Sequence, residues 1–292
     1  MKRILVTGAN KGIGFAIAER ILEQTDDTFV FLGSRDRGRG EVAAENLQQA
    51  EASRANRVQV VEIDVASDES VDRAAREVRD SCGMEALYGI VNNAGIGLGS
   101  GDLSQVLNVN TRGIHRVCSA FIRLLGDGGR IVSITSAAGP NFVAKCSAER
   151  KVFFTRQDVT WREIDELMNE CVGIAGGAEA FSSRGLGDGS PYGLSKACAN
   201  AYTVYLAREY PQLVINACTP GFIATDMTRQ YKEGRGNRPE ELGMKTPREG
   251  ATSAIFLLFG APEGSGHYYG SDAKRSPLDR YRAPGTPPYT GD

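Results

Sequence analysis

The strongest constraint in this chain is a junction. A short apolar run, Ile4–Thr7, gives way through Gly8-Ala9-Asn10-Lys11-Gly12-Ile13-Gly14 to a helix-forming stretch, Gly14–Gln24. A strand that enters a helix so directly belongs to a strand–helix–strand unit, because parallel neighbours must be joined by a crossover. The same rhythm repeats. Further strand candidates are Phe29–Gly33, Gln59–Asp64, Gly89–Asn92, Arg130–Thr135 and Val214–Cys218, with helix candidates at Gly38–Ala50, Ser67–Ser81, Leu103–Leu125 and Ser195–Glu209. Such alternation predicts an α/β fold: a doubly wound parallel sheet of Rossmann type with helices on both faces. A length of 292 residues suits one large α/β domain or two small ones.

Bulk properties exclude more than they assign. With 34 basic and 36 acidic residues the formal net charge is −2, which gives no reason to expect nucleic acid or an anionic membrane as partner. No apolar stretch approaches the roughly 20 residues of a membrane-spanning helix. The N-terminal apolar run stops at Thr7-Gly8, too early for a secretory signal. The six cysteines are scattered without C-x-x-C spacing, so reduced thiols in a cytoplasmic protein are expected and no metal site is.

Glycines at the first junction let the backbone turn tightly and approach a pyrophosphate, whose charge is favoured at a helix N-terminus. A glycine triplet alone marks many ordinary turns; the strand before it and the helix after it give it weight. About 20 residues further on, versions that take NAD place an acid for the ribose 2′-hydroxyl. Here the second strand ends at Ser34 and Arg35. Arg35 can grip a 2′-phosphate that an acid would repel, and Lys11 offers a second cation. Asp36 is adjacent, yet alternation along extended chain points it away from Arg35. The predicted cofactor is therefore NADPH/NADP+; the alternative is that both cations are solvated surface charges.

Tyr192-Gly193-Leu194-Ser195-Lys196 places a phenol and an ammonium one helical turn apart. A nearby cation favours the phenolate and makes the phenol a better acid. Tyr-x-x-x-Lys on its own would occur by chance in many proteins. In company with Thr7–Gly14, Asn92-Asn93-Ala94-Gly95, Ser136 past a strand and Pro220-Gly221, all in order, it makes the chain resemble the short-chain dehydrogenase/reductase family, and within it the carbonyl reductase (NADPH) subgroup, over about residues 1–270.

The resemblance implies roles residue by residue. Tyr192 would donate a proton to a carbonyl oxygen, and Lys196 would assist it and bind the nicotinamide ribose. Ser136 would position the substrate oxygen, although Ser133 and Thr135 are rival hydroxyls. Asn110 would support a proton-relay water. Cofactor contacts would come from Gly8, Asn10, Lys11, Gly12, Ile13, Gly14, Arg35, Asp64, Val65, Asn92, Ala94, Gly95, Tyr192, Lys196, Pro220, Gly221, Ile223 and Thr225. The implied activity is NADPH-dependent reduction of a ketone, aldehyde or quinone by hydride transfer. A dedicated biosynthetic ketoreductase or alcohol dehydrogenase of the same family is the alternative, and a non-catalytic NADP(H)-binding regulator a more distant one.

The stretch from Ser136 to Tyr192 is far longer than in most members of that family. It resembles the carbonyl reductases' helical insertion (about 140–190), which covers a surface otherwise used for dimerisation and so implies a monomer. Thr160-Trp161-Arg162-Glu163 reads as a capping box that opens a helix there, and Thr246-Pro247 as the start of another. The glycine-rich stretch 173–189 is expected to be a flap. Ile96, Phe142, Met168, Phe222 and Met227 are pocket candidates that could equally be core. Residues 271–292, which carry four prolines and run beyond the family's usual ending, are expected to be an extended or disordered tail.

Overall fold

The computed structural model describes residues 1–84, 86–97, 102–231, 238–239 and 241–291. Its sheet has eight strands in the order β3-β2-β1-β4-β5-β6-β7-β8. These are β1 (Lys2–Val6), β2 (Thr28–Ser34), β3 (Val58–Glu62), β4 (Leu87–Asn92), β5 (Leu125–Ile134), β6 (Val214–Cys218), β7 (Tyr268–Tyr269) and β8 (Arg275–Ser276). Neighbours pair in parallel from β3 through to β7, and β8 returns antiparallel against β7.

Period-two alternation sorts the strands' side chains between two cores. Ile4, Val6, Val30, Leu32, Val91 and Val132 pack on one face with α1 (Gly12–Gln24), α2 (Arg37–Gln49) and α12 (Thr252–Phe259). Leu5, Phe31, Ile90, Ile131 and Ile215 pack on the other with α3 (Asp68–Cys82), α5 (Gly113–Phe121) and α10 (Pro191–Glu209). The chain is thus wound on both faces, as the strand–helix rhythm predicts.

The single helix expected over Leu103–Leu125 is composite: α4 (Leu103–Leu107), a π-helical turn over Asn108–Arg112, then α5 and a short 3-10 turn. Its last expected residue, Leu125, opens β5 instead, and the register between β4 and β5 slips between Leu87 and Gly89 to absorb the extra residues. α10 begins before the expected Ser195. Pro191 stands at its first turn, and the Ser190 side chain accepts from the Gly193 N–H. Tyr192 is thereby carried on the same helix as Lys196.

Between Ser136 and Tyr192 the chain forms α6 (Ala138–Ala144), α7 (Ala148–Thr155), α8 (Trp161–Val172) and α9 (Gly177–Ser183). The Thr160–Glu163 capping box opens α8, and Ile164, Leu167, Met168 and Cys171 face inward. Helices α6, α7 and α8 all lie against α10. The 173–189 stretch is anchored by buried Phe181 and Leu186. A second capping box, Thr246 with Glu249, opens α11 (Pro247–Gly250). All six cysteines are unpaired.

Of the segment 271–292, expected to be an extended or disordered tail, the described residues 271–291 contain β8 and continue as turns and extended chain back against the body. Arg282 is its anchor. The guanidinium pairs with Asp272 and donates to Ser276 Oγ (2.9 Å) and the Thr286 carbonyl (2.9 Å). Arg275 donates to the Gly291 carbonyl (2.7 Å), and the Tyr289 N–H to the Arg275 carbonyl (3.0 Å). Among the described residues no helix is long and apolar enough to cross a membrane.

Candidate active site

In an open α/β sheet, ligands bind beyond the carboxyl ends of the strands, where the strand order reverses. Here that point lies between β1 and β4, and the loops leaving those strands are tied together. Thr7 Oγ1 accepts from the backbone N–H groups of Asn93 and Ala94, both at 3.0 Å. Asn93 Nδ2 donates to the carbonyls of Thr7 (2.9 Å) and Gly8 (3.1 Å). The approach is too close for side chains. A Cβ on Gly14 would stand 2.4 Å from both Asn93 Nδ2 and the Gly8 carbonyl oxygen, and Gly8 itself holds φ at +63°.

This cradle suits a dinucleotide phosphate. α1 starts with no side-chain cap and no acid in its first turn, which leaves its leading N–H groups for an anion. Asn10, Gly12 and Ile13 lie half-buried along the loop, as do Ala94 and Gly95 opposite. Thr225 reaches the loop from across the crevice, its Cγ2 lying 3.6 Å from where a Gly12 Cβ would be. Pro220 and Gly221 follow β6, with Gly221 at φ +93° and its N–H donating to Thr219 Oγ1 (3.1 Å). Three of the singled-out residues are buried. Val65 and Ile223 are in the core, and Asn92 is 3% exposed with Nδ2 donating to Cys118 Sγ (3.4 Å). Asp64 is half-buried, and its Oδ1 accepts from the Ala66 N–H (2.9 Å).

The two cations diverge. Arg35 is exposed at the end of β2 and has no ion pair among the described residues. The carboxylate of Asp36 is turned to α2, where it caps the helix by accepting from the Arg39 N–H at 2.9 Å. Lys11 Nζ lies 2.7 Å from Asp226 Oδ2. The sequence did not single out that acid, although it stands next to Thr225.

Tyr192 and Lys196 lie one turn apart on α10, with Lys196 Nζ 5.5 Å from the centre of the Tyr192 ring. Lys196 is 5% exposed, and its ammonium donates to the Ile134 carbonyl at 3.1 Å. Burial pushes its pKa down to about 8. Gly95 joins this pair to the phosphate cradle: a Cβ there would lie 3.1 Å from Asn110 Oδ1 and 3.7 Å from Lys196 Nζ.

Asn110 sits in the π-helical turn, a deformation often found at functional sites. Its side-chain amide donates to the Ile96 carbonyl (2.9 Å) and Ser195 Oγ (3.1 Å), and its Oδ1 accepts from the Ile96 N–H (2.9 Å). Both amide hydrogens are thus spent on clamping the strand-end loop to α10.

Of the three rival hydroxyls, Ser133 and Thr135 are each 2% exposed, whereas Ser136 is half-buried and opens onto a cavity of about 370 Å³. Thr219, Phe222, Lys245 and Tyr268 line that cavity as well. So do Arg280, Tyr281, Arg282 and Pro284 of the terminal segment, which sequence reasoning missed. No periodicity or spacing marks them, because their place depends on the fold-back through Asp272. Among the apolar pocket candidates, Phe142 and Met168 are core residues, whereas Phe222 is 41% exposed at the cavity. Met227 packs against Gly97, and Ile96 is half-buried.

Comparison with known proteins agrees with this arrangement. The chain is 30% identical to carbonyl reductase [NADPH] 3 of Rattus norvegicus over 276 residues, covering 89% of this chain and 92% of that one. It is 29% identical to (+)-neomenthol dehydrogenase of Arabidopsis thaliana over 280 residues, covering 87% and 90%. Salutaridine reductase from Papaver somniferum superposes with a TM-score of 0.74 at 25% identity, covering 92% of this chain and 99% of that one. Residues 2–149 match the family model described as short chain dehydrogenase. With the two-faced sheet, the glycine cradle and the Tyr192–Lys196 pair already in place, the chain belongs to the short chain dehydrogenase family.

Proposed function

We propose that this chain reduces the carbonyl group of a small ketone, aldehyde or quinone with NADPH, with Tyr192 as proton donor. The observation that carries the reading is the Lys196 ammonium, enclosed without a carboxylate partner among the described residues, 5.5 Å from the centre of the Tyr192 ring. An enclosed cation there lowers the energy of the phenolate that remains after proton transfer.

Bound NADPH would supply the hydride. The α1 N-terminus and the Gly8–Gly14 loop would hold its pyrophosphate, and Arg35 its 2′-phosphate. Ser136 would donate a hydrogen bond to the carbonyl oxygen as negative charge builds on it, and Tyr192 would pass that oxygen a proton. Lys196, fixed by the Ile134 carbonyl, keeps its charge beside the phenol. Asn110 would act by position, since its amide holds the 95–96 loop against α10. The names of the relatives agree: one is a carbonyl reductase [NADPH], another a dehydrogenase of neomenthol. The second name keeps a dedicated alcohol dehydrogenase in view. Helices α6, α7 and α8 cover α10 and so support a monomer, which sedimentation would check.

The test is NADPH consumption with a panel of quinones, aryl ketones and aldehydes. Tyr192→Phe should fold and bind NADPH yet lose about 10²- to 10⁴-fold in turnover, the usual worth of a positioned general acid. Wild-type turnover in that variant would remove Tyr192 as the donor. A panel without any consumption, at concentrations where NADPH is bound, would remove the reductase reading.

A further inference from the structure

The cavity beside Ser136 has an uneven charge. Among the described residues its charged lining groups are Lys245, Arg280 and Arg282, and none is a carboxylate. The three cations differ in what they have left to offer. Arg282 is spent on Asp272, Ser276 Oγ and the Thr286 carbonyl. Arg280 gives only Nη1 to its neighbour Asp279, at 2.9 and 3.2 Å, while its guanidinium rests 5.3 Å from the centre of the Tyr289 ring. Its remaining N–H groups have no protein acceptor among the described residues.

Lys245 is the most telling of the three. Its backbone is pinned, with its N–H donating to the Phe222 carbonyl (2.8 Å) and its carbonyl accepting from the Ala224 N–H (2.9 Å). The side chain is therefore held at the cavity rim rather than on a loose loop. It is half-buried, yet its ammonium has neither an ion pair nor a hydrogen bond among the described residues. Glu249 is within electrostatic reach of this ammonium, but no carboxylate among the described residues bonds it, so it remains able to receive an anion brought into the cavity. Low-dielectric walls such as Phe222, Tyr268 and Pro140 strengthen the attraction.

We propose that this site selects carbonyl substrates that carry an anionic group, a carboxylate in the simplest case, and that Lys245 and Arg280 receive it while the carbonyl faces Ser136. The inference rests on the reductase reading above and adds the class of substrate to it. It also gives the terminal segment a function: the segment brings Arg280 to the mouth of the site, with Arg282 as its anchor.

The experiment compares 3-benzoylpropanoate with its methyl ester, with 9,10-phenanthrenequinone as a neutral control. The expected result is a kcat/KM ratio of acid to ester of about tenfold or more, the worth of one good charge contact. The ratio should fall towards one in Lys245→Met and several-fold in Arg280→Met. A merely structural loss would lower both substrates together and leave the ratio alone. High salt should shrink the wild-type ratio without any variant. If neither aryl ketone is turned over, the acid must still inhibit quinone reduction at about tenfold lower concentration than the ester.

Equal handling of acid and ester overturns the proposal, as does a ratio unmoved by both variants. A higher KM for NADPH in Lys245→Met, with the ratio intact, assigns that lysine to the cofactor and overturns it too. Reduction of the quinone without a preference for the acid sinks this inference alone. No reduction of any of the three sinks the reductase reading with it.

Discussion

The two rims of the crevice are built in opposite ways. The rim proposed to hold the cofactor consists of two short loops that leave adjacent strands and lock to each other through Thr7, Asn93 and Gly14. Its contacts are hydrogen bonds between the Thr7 and Asn93 side chains and the facing backbone, so the loops cannot separate without breaking several of them. The rim proposed to take the substrate is gathered from 136–140, 219–222, 243–245 and 268–284, four stretches that meet only after folding. Side-chain ion pairs and single hydrogen bonds hold it. One rim is rigid because its parts are short and mutually packed; the other can vary because its parts are exposed and tied at few points.

That contrast can be broken or sharpened by experiment. The largest effect should come from the anchor of the substrate rim. Arg282 and Asp272 are 8% and 18% exposed, and breaking a pair this enclosed costs about 3–5 kcal/mol. In Asp272→Asn the terminal segment should detach locally. Hydrogen exchange across 272–291 should accelerate and the substrate KM rise, while the KM for NADPH holds. Unchanged protection in that segment would mean that the rim does not depend on its anchor.

On the cofactor rim, Arg35→Asp replaces attraction for a 2′-phosphate by repulsion. A charge-assisted contact is worth about 1.5–3 kcal/mol, so preference for NADPH over NADH should drop roughly 10- to 100-fold. An unaltered preference would take Arg35 out of cofactor choice.

Lys196 gives a pH signature where the two rims meet. Burial holds it at about 8, below the ordinary lysine value of 10.5. Below about pH 8 the ammonium is present and Tyr192 is assisted. As pH rises through that value the charge is lost, and kcat/KM for reduction should fall several-fold. Stability should move the other way. Between the two values the unfolded chain binds more protons, so this residue makes folding more favourable as pH rises through 8. A kcat/KM profile flat from pH 7 to 9.5 would contradict the assignment.

The smallest effect concerns Lys11 and Asp226, 62% and 53% exposed. A surface pair of this kind contributes about 0.2–1 kcal/mol. Asp226→Asn should therefore leave Tm nearly unchanged and, by releasing Lys11, tighten NADPH a few-fold in titration. Weaker binding would show that the carboxylate itself serves the cofactor.

The same contrast separates what could be read from the chain and what could not. Six strands of the sheet, the glycine cradle and the Tyr192–Lys196 spacing were legible because each is written in contiguous residues with a fixed period. The Thr160–Glu163 capping box and the helix start at Thr246-Pro247 were legible for the same reason. Ser136 needed the structure to separate it from Ser133 and Thr135, since the three differ only in how far past the strand end they stand. The π turn at Asn110 was invisible: no local pattern marks it, and the bonds its amide makes reach Ile96 and Ser195, which only folding brings to it. The two-residue strands β7 and β8 are too short for any pattern to show.

By itself, then, the sequence determined the doubly wound strand–helix alternation, the glycine-rich turn after β1 and the one-turn spacing of Tyr192 and Lys196. Local hydrogen bonding and hydrophobic period decide those within a few residues. Only the tertiary structure decided which hydroxyl faces the cavity, where Lys11 goes, and that residues 280–284 become part of the site. Those outcomes depend on groups far apart in the chain, such as Lys11 and Asp226, which no local pattern connects and which folding alone brings within bonding distance.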